Sequence, residues 1–162
     1  MAGVFPAQTI KLAASVVLCM LAGFIGSIFT TPKIGGWYAG INKPSFNPPN
    51  WLFGPVWTAL YILMGISLFL VWRAGIGERR VQVALVVFIV QLACNVLWSF
   101  AFFGRQSPLA GLVVIIVLWI LIVITIIASA TVSKAAALLL IPYVLWVSFA
   151  SILTASIWRL NR

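Results

Sequence analysis

Five stretches of this chain each run for about 20 residues or more without a charge: residues 12–32, 51–72, 81–104, 106–133 and 135–158. At about 1.5 Å rise per residue, a helix of that length crosses a hydrocarbon core roughly 30 Å thick. Lipid offers no partners to backbone N–H and C=O groups, so uncharged runs of this kind form helices. The alternation of polar and apolar residues that a membrane β-barrel would show is absent. The expected fold is therefore an all-α membrane protein, a five-transmembrane-helix bundle in a single domain over residues 1–162. Composition agrees: 64% of residues are hydrophobic and 7% charged, with a single acid and no histidine, where a soluble domain carries about 25% charge.

The first run is read as a span. Its 21 uncharged residues exceed the roughly 7–15 of a signal-peptide core, and Leu18 before Cys19 does not suit a lipoprotein cleavage site. The net charge of +9 does not indicate nucleic acid. Its basic residues stand singly or in pairs at the ends of apolar runs, where they meet lipid headgroups, and not in a stripe along one face. Lys11, Arg73, Arg79, Arg80 and Lys134 would share one side of the membrane, and Lys33, Lys43, Arg105, Arg159 and Arg162 the other. That tie leaves orientation open. Cys19 and Cys94 lie inside spans and read as small apolar residues; two thiols without histidine or nearby acids make a poor metal site.

Only the first connection, residues 33–50, is long enough for structure of its own. It and the start of the second run read WYAGINKPSFNPPNWLFGPVW, with Pro44, Pro48, Pro49 and Pro55, three tryptophans and Lys43 as the sole charge. Such a segment is stiff, aromatic and suited to the membrane interface.

Polar residues within the spans are few. Gln91 and Asn95 share a face of the third run, and their amides turn it inward. Trp98 and Phe102 continue that stripe. Trp57 and Tyr61 share a face of the second run, with Gly65 one turn on, and Tyr143, Trp146 and Ala150 share a face of the fifth. Aromatic walls with a few amides and hydroxyls describe a pocket for a flat, mostly apolar ligand. Interhelical hydrogen bonding alone would also explain Gln91 and Asn95. Trp72 and Trp158 read as interfacial belt. Pro142 should kink the fifth run. Leu112 to Ile127 is nearly all aliphatic, which marks the fourth run as the most lipid-exposed. Gly23 with Ser27, and Ala22 with Gly26, suit close helix packing within or between monomers.

The chain resembles the translocator protein / tryptophan-rich sensory protein family (TspO/MBR, or peripheral benzodiazepine receptor family). The likeness is carried by the first loop and second helix through Trp37, Tyr38, Lys43, Pro44, Pro48, Pro49, Trp51, Gly54, Pro55, Trp57, Leu60 and Tyr61. It continues in QLACNVLWSFAFFG and IPYVLWVSFASIL. The resemblance implies a five-helix bundle, frequently a homodimer, that binds porphyrins near a first loop acting as a lid. The implied ligand contacts are Trp37, Tyr38 and Phe46 from the loop, and Trp57, Tyr61, Gln91, Asn95, Trp98, Tyr143, Trp146 and Ala150 from the spans. Four positions depart from the family pattern. Phe46 stands for a tryptophan, and Phe100 for a proline, so a kink there is not expected. Thr154 and Ala155 replace the asparagine and tyrosine of animal members, and sterol binding is not assigned.

The resulting expectation is a membrane receptor or carrier for porphyrin or another tetrapyrrole, surrounded by membrane lipid, with the ligand's carboxylates near Lys43 or Arg105. With no histidine as axial ligand, metal-free porphyrin suits it better than haem, and no cofactor is expected. The alternative is an enzyme that degrades porphyrin with light and oxygen at oxidisable indoles. The only acid, Glu78, lies in a loop, so no catalytic acid–base residue is assigned. A proton-coupled drug pump would need an intramembrane carboxylate, which no run contains.

Overall fold

Where the uncharged runs lie, the chain forms five helical spans long and apolar enough to cross a membrane, as the computed structural model of residues 4–162 shows. Its helices are α1 (Val4–Ile34), α2 (Trp37–Gly40), α3 (Asn50–Trp72), α4 (Arg79–Ser99), α5 (Pro108–Ala130), α6 (Lys134–Leu139) and α7 (Ile141–Leu160), and among the described residues there is no strand. A π-helical turn, Phe100–Gly104, continues α4. The protein is thus a multi-pass integral membrane protein.

Two departures from straight helix have identifiable causes. Pro142 sits in the first turn of α7, where its missing N–H is harmless, and the fifth span divides at Leu140 into α6 and α7. Only Leu140 separates the two, with φ -90° and ψ -7°, so the span continues through a local irregularity beside the proline. At the end of α4 a distortion exists without the proline. Arg105 N–H bonds the Phe100 carbonyl at 2.8 Å and Ser107 N–H the Phe102 carbonyl at 3.2 Å, both five residues back. The extra residue per turn re-aims Phe102 and Phe103, both buried. Gln106 then takes φ 51°, and Ser107 caps α5 by accepting from Ala110 N–H at 3.2 Å.

The spans close a ring in the order α1, α3, α6/α7, α5, α4 and back to α1. Cys19, Met64, Phe88, Leu118, Ile122, Leu140 and Val147 fill its centre. Both cysteines are free, and Cys19 is fully buried. The small residues of α1 serve the monomer. A Cβ on Gly23 would stand 2.5 Å from the Tyr61 ring, and one on Gly26 would stand 3.0 Å from Ser99 Oγ. The fourth run is not the most exposed span, because α5 packs on α4, α6 and α7. That place belongs to α1, with 22% of its apolar window buried against 28% for α5. Lys11 Nζ lies 5.5 Å from the Trp72 ring centre and the Arg162 guanidinium 5.6 Å from that of Trp158. Each pair puts a cation and an indole together at a span end, as an interfacial belt requires.

Candidate functional site: an aromatic cavity under the first loop

A cavity of about 570 Å³ lies between α1, α3, the end of α4 with its π turn, and α7. Four of its residues form a ladder of near-parallel rings. Tyr61 stacks on Trp57 (centroids 5.5 Å, 29° between planes), Trp57 on Trp98 (6.5 Å, 29°) and Trp98 on Phe102 (5.6 Å, 20°). The ladder follows from spacing: Trp57 and Tyr61 are i and i+4 on α3, and Trp98 and Phe102 are i and i+4 on the facing helix. None of the described residues lining the cavity is charged.

Below the ladder is a chain of buried hydrogen bonds. Tyr61 O–H donates to Asn95 Oδ1 at 2.6 Å, Asn95 Nδ2 donates to Tyr143 Oη at 2.9 Å, and Tyr143 O–H donates to Gln91 Oε1 at 3.1 Å. Asn95 therefore uses both ends of its amide to tie three helices together. Gln91 is 1% exposed and its Nε2 has no partner among the described residues. Trp98 Nε1, in the cavity wall, is also buried without one. It is a hydrogen-bond donor waiting for an acceptor.

The first loop roofs this space. Tyr38 on α2 is 5% exposed and lines the cavity. Its O–H donates to Asn47 Oδ1 at 2.9 Å, and burial pushes its phenol pKa up to about 12. Lys43 folds back over the Tyr38 ring and donates from Nζ to the carbonyls of Tyr38 (2.7 Å), Ala39 (3.2 Å) and Ile41 (2.8 Å). All three protons of its ammonium are thereby used, so Lys43 fastens the loop and is not free for a ligand carboxylate. A reciprocal clamp ties the loop to the end of α7. Asn42 N–H donates to Asn161 Oδ1 at 2.9 Å, and Asn161 Nδ2 donates to the Asn42 carbonyl at 2.8 Å.

Of the residues singled out from sequence, Tyr38, Trp57, Tyr61, Asn95, Trp98 and Ala150 line the cavity. The others lie one layer behind. Trp37 packs edge-on against Phe102 at 5.5 Å, and Phe46, 47% exposed, meets Phe149 at 6.4 Å. Gln91 and Tyr143 belong to the polar chain beneath, and Trp146 packs behind Phe53 at 5.8 Å. Sequence reasoning missed the whole α1 wall, including Met20, Phe24, Ser27, Thr30 and Thr31. Its signal was present, since Ser27, Thr30 and Thr31 place three hydroxyls on one face of a helix otherwise almost free of them. Thr154, a point of departure from the family pattern, also lines the cavity.

An uncharged, aromatic-walled chamber set in a five-span bundle defines a ligand-binding class of integral membrane protein. Residues 15–159 match the TspO/MBR family, and the chain belongs to it. It is 54% identical to the tryptophan-rich protein TspO of Chlorobaculum tepidum, over 95% of this chain and 98% of that one. It is 39% identical to the translocator protein of Homo sapiens, covering 97% and 90% respectively, and 39% identical to protein CrtK of Rhodobacter capsulatus, covering 90% and 89%. Membership of this family fits a membrane receptor or sensor role.

Proposed function

We propose that this protein is a membrane receptor or carrier that holds a porphyrin or another tetrapyrrole in the cavity, and so serves tetrapyrrole transport, sensing or metabolism. The observation that carries the reading is the ring ladder Tyr61–Trp57–Trp98–Phe102 in a chamber without charge. A flat conjugated macrocycle gains both apolar burial and ring contacts against such a wall. Trp98 Nε1 supplies a directed donor. Charged propionates have no counter-ion inside and stay at headgroup level, where Arg105 is exposed beyond the π turn. The first loop is the lid on the aqueous side, with Tyr38 as its contact to the ligand. Trp37, Phe46, Gln91, Tyr143 and Trp146 shape the site from behind.

A titration that follows tryptophan fluorescence tests this. Protoporphyrin should quench it saturably at one site per chain, and more tightly than haem does. Quenching that rises linearly without saturation overturns the reading. The electron-rich indoles at the wall also bear on the enzymatic alternative. Porphyrin absorbance that bleaches only in light and oxygen, yielding one discrete product, would establish degradation in place of carriage.

A further inference from the structure

The first loop covers one end of the cavity, and its α1/α3 side is open. On the aqueous side Tyr38 is buried, Lys43 caps three loop carbonyls, and the Asn42–Asn161 clamp fastens the loop to α7. On the α1/α3 side the lining residues are themselves surface residues: Met20 is 36% exposed, Phe24 64% and Trp51 72%, and Ser27, Gly54 and Thr58 are also exposed. These positions belong to membrane spans, so what they face is acyl chain. From Ile34 to Met20 the lining of α1 covers 14 steps, about 21 Å at 1.5 Å per residue. The mouth therefore reaches past the middle of a hydrocarbon core roughly 30 Å thick.

Helix packing explains why the gap is at this end. At the far end α1 and α3 are locked, since a Cβ on Gly65 would stand 2.5 Å from Val16 Cα. Gly23 still packs on the Tyr61 ring about two turns further along α1, but beyond it toward the loop the helices part, and a Cβ on Gly54 would meet nothing within 4 Å. The hydroxyls at the mouth have spent their protons on their own helices: Ser27 Oγ on the Phe24 carbonyl at 2.7 Å, Thr58 Oγ1 on the Gly54 carbonyl at 2.9 Å. Their remaining lone pairs only accept. A mouth of this kind admits apolar, bilayer-dissolved molecules and tolerates N–H or O–H groups on their edge, whereas a headless charge would lose its solvation there.

We propose that ligand exchanges between the cavity and the bilayer through the gap between α1 and α3, with the first loop remaining closed. The ligand class follows: a lipophilic molecule that partitions into the membrane before it binds. This rests on the cavity being a ligand site, so the test has one arm that uses ligand and one that does not. In the first, stopped-flow fluorescence follows protoporphyrin binding to protein in phosphatidylcholine nanodiscs. Gly54→Phe adds a ring at the mouth from a position where a Cβ meets nothing within 4 Å, and should slow association at least tenfold while also slowing dissociation. Asn161→Ala, which releases the loop clamp, should leave association within twofold of wild type. Association unchanged by Gly54→Phe, or faster dissociation, overturns the proposal, as does a tenfold acceleration by Asn161→Ala. In the second arm a nitroxide is attached at Gly54→Cys in a Cys94→Ala background, and its relaxation by oxygen is compared with that by a water-soluble nickel chelate. Dominant relaxation by oxygen supports a lipid-facing mouth, and dominant relaxation by the chelate overturns it. If wild-type protein shows no saturable porphyrin binding, the tetrapyrrole reading fails, and the spin-label result alone decides the route.

Discussion

The two halves of the bundle solve the packing of α1 against α3 in opposite ways. Away from the loop, a glycine lets the backbones touch at Gly65 and Val16, and Ser67 Oγ donates to the Ala136 carbonyl at 2.8 Å. There the interior is aliphatic and small, with Val71, Val81, Ala84 and Ala136 all essentially buried. On the loop side Trp57, Trp98, Phe102 and Tyr61 are too large and too mutually engaged to let the helices close, and a chamber of about 570 Å³ remains. The closest backbone approach comes where side chains are small. The cavity lies where they are large. In lipid, helix association depends on close van der Waals packing more than on apolar burial, so the tight half can hold the frame that the open half needs.

The largest effect is expected from adding volume to the tight half. Gly65→Leu would drive a side chain into the Val16 backbone, and overpacking of this kind costs about 3 kcal/mol, the upper part of its usual range. Gly54→Leu on the same helix enters open space and should leave stability within about 0.5 kcal/mol. Thermal unfolding in detergent of the two variants measures the contrast. Similar losses in both would mean that the halves are equally packed.

The next effect is on binding. Trp57 is the hub of the ladder, in contact with Tyr61, Trp98 and Tyr143. Trp57→Ala should weaken porphyrin binding by about 2–3 kcal/mol from lost apolar and ring contact, or roughly 30- to 150-fold. Trp146→Ala, at a ring that packs on Phe53 and Phe149 outside the cavity lining, should lose less. Trp72→Ala at the opposite membrane face should leave affinity unchanged. Equal losses at Trp57 and Trp72 would separate affinity from the cavity altogether.

How much of this was legible in the sequence follows from the range of each signal. The five spans were, because hydropathy is a local property and lipid admits no other backbone. The contacts of α3 and α4 with the cavity were as well, since Trp57, Tyr61, Asn95 and Trp98 carry polar or aromatic groups at helical spacing. The α1 wall was legible only through the hydroxyls of Ser27, Thr30 and Thr31, because Met20 and Phe24 are ordinary membrane residues whose role depends on a neighbour being absent. Trp146 shares the face of Tyr143 and Ala150 by period, yet its ring packs on Phe53 and Phe149 and is not among the cavity lining. A lone cation in an apolar segment invites an anion, so the ligand's carboxylates are expected near Lys43 or Arg105, and three backbone carbonyls hold Lys43. The π turn left no mark, since the proline that usually announces such a distortion is Phe100 here.

A smaller effect is expected at the border between the halves. Asn95→Leu removes the partner of both Tyr61 and Tyr143. Interhelical hydrogen bonds in membranes average about 0.6 kcal/mol each and reach about 1.7, so a loss of about 1–2 kcal/mol is expected. Gln91→Leu should cost less, because it also removes a buried Nε2 that has no partner among the described residues. Resistance to denaturation by dodecyl sulfate ranks the two. The reverse order would place the structural tie at Gln91.

The smallest effect separates the roof from the frame. Tyr38 donates to Asn47, and its burial raises its pKa to about 12, against about 10 for a free phenol. A folded pKa above the unfolded one means that the neutral phenol's contribution is complete below pH 10 and is lost as pH climbs toward 12. Tyr38→Phe removes one hydrogen bond at neutral pH, about 0.5–1.5 kcal/mol, and should also remove this share of the alkaline loss. Thermal unfolding from pH 7 to 11 should therefore show curves for wild type and Tyr38→Phe that converge as pH rises. Since the tight half contains neither Tyr38 nor any partner of it, the difference between the two curves reports on the loop half alone. Curves that stay parallel through pH 11 would mean that the Tyr38 hydroxyl is already open to water, and that the roof is looser than its hydrogen bonds suggest.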